Sequence, residues 1–211
     1  MDHVPPKNLF LKPRPSLITV PACRECNSEA SLDDEYFRSV IVARADTDGN
    51  VVAEQLRRVV LRSFDRSDGW RTGWFSRTRL VDIVDDFGQR DSKMQYQMDY
   101  DRLSKVADRT IRGLHFDKFG SALPVDCPIL VMQDWALDDE HKSPESKIGR
   151  FIANFDDTPA HTVHPDVFAY KRENVVGEDL TAAWLLWFFN RVWIIGLVNV
   201  ATPSGFAETA R

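Results

Sequence analysis

Asp2-His3-Val4-Pro5-Pro6 opens the chain, and Val20-Pro21-Ala22-Cys23-Arg24-Glu25-Cys26-Asn27 leads into Ser31-Leu32-Asp33-Asp34-Glu35-Tyr36-Phe37. Between these segments, prolines at 5, 6, 13, 15 and 21 separate two short apolar runs, Asn8 to Leu11 and Leu17 to Val20, a pattern of loop and short strands. Ser31, with Asp34 three residues later, has the form of a capping box. Leu32, Tyr36, Phe37, Val40 and Ile41 then recur at helical spacing and predict a helix over about 32–45. A carboxylate and an imidazole on one strand, a Cys-x-x-Cys clip and a capped acidic helix together predict a small ββα unit over residues 1–45.

Outward from this unit, Asp48-Gly49-Asn50 ends the helix. A second helix is predicted over 51–64, with Val52, Leu56, Val59, Val60 and Phe64 on one face and Arg57, Arg58 and Arg62 mostly off it. Gly69 to Gly73 reads as an aromatic turn, and Leu80 to Asp86 as a short apolar run of either type. Tyr100 to Leu114 carries Leu103, Val106, Ala107, Ile111 and Leu114 at helical spacing and predicts a third amphipathic helix ending near Gly113. Beyond Phe119 the pattern turns to strands, at Pro128–Gln133 and Val167–Tyr170. Trp184 to Val200 is apolar on all sides, as in a central strand pair or a buried helix followed by a strand. The fold class expected is therefore α+β: an N-terminal ββα finger (1–45), a helical region with a basic and aromatic stretch (46–118) and a mixed α+β C-terminal part (119–211).

Composition narrows the chemistry. The 211 residues are 43% hydrophobic, enough for a sizeable core. Of three cysteines, Cys23 and Cys26 are spaced as a metal clip and Cys127 stands alone, which argues against a disulfide framework and for a reducing cytoplasm. No secretory leader is legible at Met1-Asp-His-Val-Pro-Pro. Ala182 to Ala201 has Asn190 and Arg191 near its middle, where an arginine costs roughly 2.5 kcal/mol or more to insert in a bilayer, so it reads as buried core and no membrane partner is expected. The net charge of −5 counts against a whole-surface nucleic-acid binder. Locally, Arg57, Arg58, Arg62, Arg66, Arg71, Arg77 and Arg79 face only Asp65 and Asp68, with Trp70, Trp74 and Phe75 among them. Such a stretch suits contact with a nucleic-acid backbone, and equally a solvated helix face beside an aromatic loop packed on the core.

The N-terminal residues suggest a metal-assisted reaction. Asp2 offers an oxygen ligand to Mg²⁺, which takes only one or two protein carboxylates. His3, with an ordinary pKa of about 6.5, suits a general base. Asn27 is able to fix a loop through its amide. In this order Asp2-His3, Val20-Pro-Ala-Cys23-Arg-Glu-Cys26-Asn27 and the acidic helix resemble the HNH endonuclease family, the ββα-metal or His-Me finger nucleases, over about 40 residues. The resemblance implies a metal-dependent endonuclease that cuts DNA, with the choice between DNA and RNA left open, and that uses Mg²⁺ or Mn²⁺. His3 is then the general base, Asp2 a metal ligand and Asn27 the residue that orients the finger.

The family's last letter, a metal-binding His or Asn on the helix, is absent. Asp33, Asp34 and Glu35 are in reach, and Glu35 is slightly favoured over Asp34, which also serves the Ser31 cap. Members with Cys-x-x-Cys before the Asn carry a matching upstream pair that completes a structural Zn²⁺ site. Here Cys23 and Cys26 form at most half of one, so either an N-terminal segment precedes residue 1 in the natural gene, the preferred reading, or the two pack as plain thiols. The resemblance also leaves open a non-catalytic nucleic-acid or protein-binding module on a degenerate finger. In either case Arg57, Arg58, Arg62, Arg71 and Arg77 are expected to guide the backbone and the C-terminal part to engage substrate or a protein partner.

Other signals are less specific. His161-x-x-His164, with Asp156, Asp157 and Asp166, fits a metal site or, by default, hydrogen-bonded loop histidines. His115 reads as a helix-end cap, His141 as a loop residue and Cys127 as a small buried one. Patterns for phosphate-binding loops, dinucleotide binding or a serine nucleophile elbow are absent.

Overall fold

A computed structural model describes residues 1–84, 87–137, 159–174 and 182–198, together with Ser143, Gly149, Ile152, Ala153 and Phe155. The class is α+β. Strands β1 (Asp2–Val4) and β2 (Ile18–Val20) pair antiparallel, Asp2 opposite Val20 and His3 opposite Thr19, and helix α1 (Arg24–Ala43) follows, so the order of the N-terminal unit is ββα. Next come α2 (Val51–Phe64), α3 (Asp68–Phe75), an antiparallel ribbon of β3 (Thr78–Val84) and β4 (Arg90–Tyr96), and α4 (Tyr100–Phe119). The remaining strands, β5 (Ile129–Gln133), β6 (His161–His164), β7 (Phe168–Asn174), β8 (Ala182–Phe188) and β9 (Val192–Val198), form an antiparallel sheet in the order β5-β9-β8-β7-β6.

Helix α4 packs against both the ββα unit and this sheet. Gly113 and Gly196 permit the close approach, since a Cβ on Gly113 collides with Val4 of β1 and one on Gly196 with Ile111 of α4. Val4, Phe37, Val60, Leu114 and Ile194 consequently share one hydrophobic core that draws on all three sequence regions. On β8, Trp184, Leu186 and Phe188 enter that core, while Ala183 and Leu185 turn to a second cluster with Met132, Phe155 and Ile195. Both faces are covered, which explains a sequence apolar on all sides. The apolar run is thus a hairpin, turned at Phe189 and Asn190 with φ of 52° and 58°, the two positive values of a tight hairpin turn. Among the described residues no helix is long and apolar enough to cross a membrane.

Helix α2 forms over the predicted residues, burying Ala53, Leu56, Val60 and Phe64. The Asn50 side chain caps it by accepting from the Ala53 amide at 2.9 Å and donates to the carbonyls of Asp166 and Phe189, each at 3.0 Å, tying the cap to the sheet's turns.

Several elements differ from expectation. Helix α1 begins at Arg24, so Ser31 is inside it and bonds back to the Ser28 carbonyl instead of capping; once Tyr36, Phe37, Val40 and Ile41 anchor the helix, each added turn needs no new nucleus. Leu32, expected on its apolar face, is 68% exposed. The aromatic turn at 69–73 is the helix α3: Ser67 caps it, and Trp70 and Trp74, one turn apart, pack on Phe64, offsetting two glycines that each cost about 1 kcal/mol in a helix. Helix α4 runs past Gly113 to a left-handed cap at Gly120, leaving His115 within the helix. A 3-10 turn at Lys7–Leu9 occupies the first apolar run, and Leu80 lies in β3 of the ribbon.

Candidate functional site

Alternation along β1 sends Asp2 and His3 to opposite faces. Asp2 is buried toward the helices. Its Oδ1 accepts from the His3 amide at 2.8 Å, and its Oδ2 lies 3.2 Å from Arg109 Nε of α4. The same guanidinium donates through Nη2 to Asp34 Oδ1 of α1. Carboxylates from β1 and α1 therefore meet on one cation from α4. Burial pushes the Asp34 carboxyl above its ordinary pKa, against the pull of Arg109.

One residue earlier, Asp33 accepts from Arg102 Nε at 2.6 Å. Arg102 also donates to the Leu32 carbonyl and lies 4.3 Å over the Tyr36 ring. Glu35, rotated about 100° further round the helix, turns away to Arg38 at 3.3 Å. Of the helical acids considered as ligands, Asp34 is the one that joins Asp2.

His3 is half-buried, and its Nδ1 is buried without a hydrogen-bond partner. Burial, then Lys7, hold its pKa below the usual value, with Asp2 opposing, so the ring is neutral at pH 7. Asn27 is exposed in the first turn of α1, its backbone N–H donating to the Cys23 carbonyl at 3.1 Å, and does not lie in a loop facing His3. Cys23 is disulfide-bonded, whereas a zinc ligand is a thiolate. The side chain of Cys26 lies outside the described part of the structure.

A divalent cation needs carboxylate oxygens turned toward it. The oxygens of Asp2 and Asp34 are turned toward Arg109, and among the described residues no three His, Cys, Asp or Glu side chains converge. With Arg109 in place, the residues present do not fit a catalytic Mg²⁺ or Mn²⁺.

The arginines of the basic stretch divide into two groups. Arg57 is committed internally: Nε donates to the Val42 carbonyl at 2.6 Å, Nη1 to Asp48 at 2.6 Å and Nη2 to Thr47 at 3.0 Å, clamping α2 to the end of α1. That removes it from the phosphate-binding set. Arg71 pairs with Asp68 at 2.6 Å and Arg77 with Asp99 at 3.7 Å, both exposed. Arg58 and Arg62, one turn apart on the outer face of α2, and Arg66 just beyond it are exposed and make no ion pair among the described residues.

His161 stacks on Tyr170 at 5.1 Å, while His164 lies edge-on to Phe10 and accepts from the Asp166 amide, so the two rings serve different neighbours. Asp156, Asp157 and His141 lie outside the described residues. Cys127 is buried and free, as expected. The residue that sequence reasoning missed is Arg109. A signal existed in Arg102 and Arg109, two turns apart on one face of α4, matching the adjacent acids Asp33 and Asp34.

Comparison of the chain with protein-family models, with curated proteins and with solved structures finds no match in any of the three.

Proposed function

We propose that the chain is a nucleic-acid-binding module on a ββα scaffold and that it does not cleave its ligand. The observation that carries this reading is the exposed row Arg58, Arg62 and Arg66 with no carboxylate partner among the described residues. Arg58 and Arg62 are about 6 Å apart along the helix axis. Charge is distributed to match: residues 57–96 hold nine Lys and Arg against six Asp and Glu, net +3, whereas the rest of the chain holds 18 against 26, net −8. This segment attracts phosphate, and the rest of the chain carries the charge that repels it.

The test is duplex binding across a salt series for the parent and for Arg58→Ala/Arg62→Ala/Arg66→Ala. Loss of three phosphate contacts lowers the slope of log affinity against log salt by about 2.7, with the helical spectrum unchanged. A parent that binds no nucleic acid, or a variant with the parent's slope, overturns the reading.

A second reading, a metal-dependent endonuclease with His3 as general base, is favoured by two observations: the meeting of Asp2 and Asp34 on Arg109, and the buried, unpartnered Nδ1 of His3. It requires Arg109 to leave both carboxylates. Plasmid nicking that needs Mg²⁺ or Mn²⁺ and vanishes in His3→Ala supports it over the first.

A further inference from the structure

We infer that the guanidinium of Arg109 is the resident cation of the ββα unit, occupying the place between Asp2 and Asp34 that a divalent ion needs, so that β1 is held to α1 without a metal. The contact is two-pronged: Nε meets Asp2 Oδ2 at 3.2 Å and Nη2 meets Asp34 Oδ1. All three side chains are mostly shielded, 11% exposed at Asp2, 18% at Asp34 and 29% at Arg109. A planar, permanently charged fork bridges two carboxylates in a way that lysine does not.

The neighbours of Arg109 hold it there. Two turns earlier on α4, Arg102 grips Asp33 and the Leu32 carbonyl, which fixes α4 against α1 in the register that brings Arg109 to Asp34. One turn later, Gly113 lets Val4 close on α4 immediately beyond Asp2. The guanidinium is thus enclosed by contacts on both sides along the helix. This inference does not depend on whether the chain binds nucleic acid.

The experiment measures Mn²⁺ binding and thermal unfolding of the intact chain, of Arg109→Ala and of Asp2→Asn, in EDTA and in Mn²⁺. The intact chain is expected to melt at the same temperature in both and to show no Mn²⁺ binding that Asp2→Asn removes. Arg109→Ala leaves two facing, shielded carboxylates uncompensated, so its Tm in EDTA falls by roughly 4–10 °C, and Mn²⁺ restores part of the loss. Saturable Mn²⁺ binding to the intact chain that Asp2→Asn abolishes overturns the inference. A folded Arg109→Ala that melts like the parent, or that ignores Mn²⁺, overturns it equally. Should Arg109→Ala not fold, Arg109→Lys keeps the charge without the two-pronged grip: a lowered Tm unmoved by Mn²⁺ supports the inference, and an unchanged Tm overturns it.

Discussion

His115 shows how a single side chain couples this fold to pH. Its ring packs on Phe119 at 4.7 Å, and burial, followed by the charge of Arg172, holds its pKa below the ordinary 6.5. The unfolded chain therefore binds this proton more readily than the folded one. The resulting contribution to stability is complete above about pH 6.5 and is lost as pH falls from there through the lowered folded value. His115→Gln is expected to shrink the drop in Tm between pH 7.5 and 5.5; an equal drop in parent and variant sinks the idea. A helix-end cap, the role its sequence position suggests, requires the charged ring, and the structure disfavours that form. That a helical acid would approach Asp2 was legible from the order of strand and acidic helix, but the sequence favoured Glu35, whereas Asp34 is the one that meets it. The cation joining the two carboxylates was not legible, since it is supplied 75 residues beyond Asp34 and nothing local announces it.

The elements differ in how plainly their residues declare them. Helix α2 is readable because one apolar stripe and one capping asparagine coincide. The hairpin of β8 and β9 was open to a helical reading because burial on both faces erases the alternation that marks a strand. The β3–β4 ribbon was illegible for the opposite reason. Leu80 and Met94 face each other on it at 67% and 65% exposure, and Val84 follows at 63%, so no burial imposes a pattern. A two-stranded ribbon exposed in this way is marginal in water unless its base is anchored. Here the anchor is Trp74, stacked on Tyr96 at 4.2 Å. Hydrogen exchange is expected to be fast at the amides of 80–84 and 90–94 and slow across 184–188 and 193–197. Equal protection in the two hairpins would show that the ribbon has a cover of its own.

For the molecule as a whole, the three sequence regions share one core, and α4 contacts α1, both amino-terminal strands and the five-stranded sheet. A peptide of residues 1–45 lacks Arg102, Arg109 and the α4 surface that receives Val4. It is expected to give a largely unfolded circular-dichroism spectrum with or without Zn²⁺ or Mn²⁺, and a cooperative melt of that peptide would show the ββα unit to be autonomous. The α+β class was legible in the sequence, but sequence reading had no means of seeing that α4 closes on the amino-terminal strands and α1, because periodicity reports which face is apolar and not what lies against it. The grip of Arg109 on Asp34 across 75 residues also sets an order of events during translation. At 5–20 residues per second, Asp34 is synthesised roughly 4–15 s before its counter-charge exists. The ββα unit is therefore synthesised well before the helix that completes it, and a nascent chain stalled before α4 presents it unfinished to chaperones and proteases.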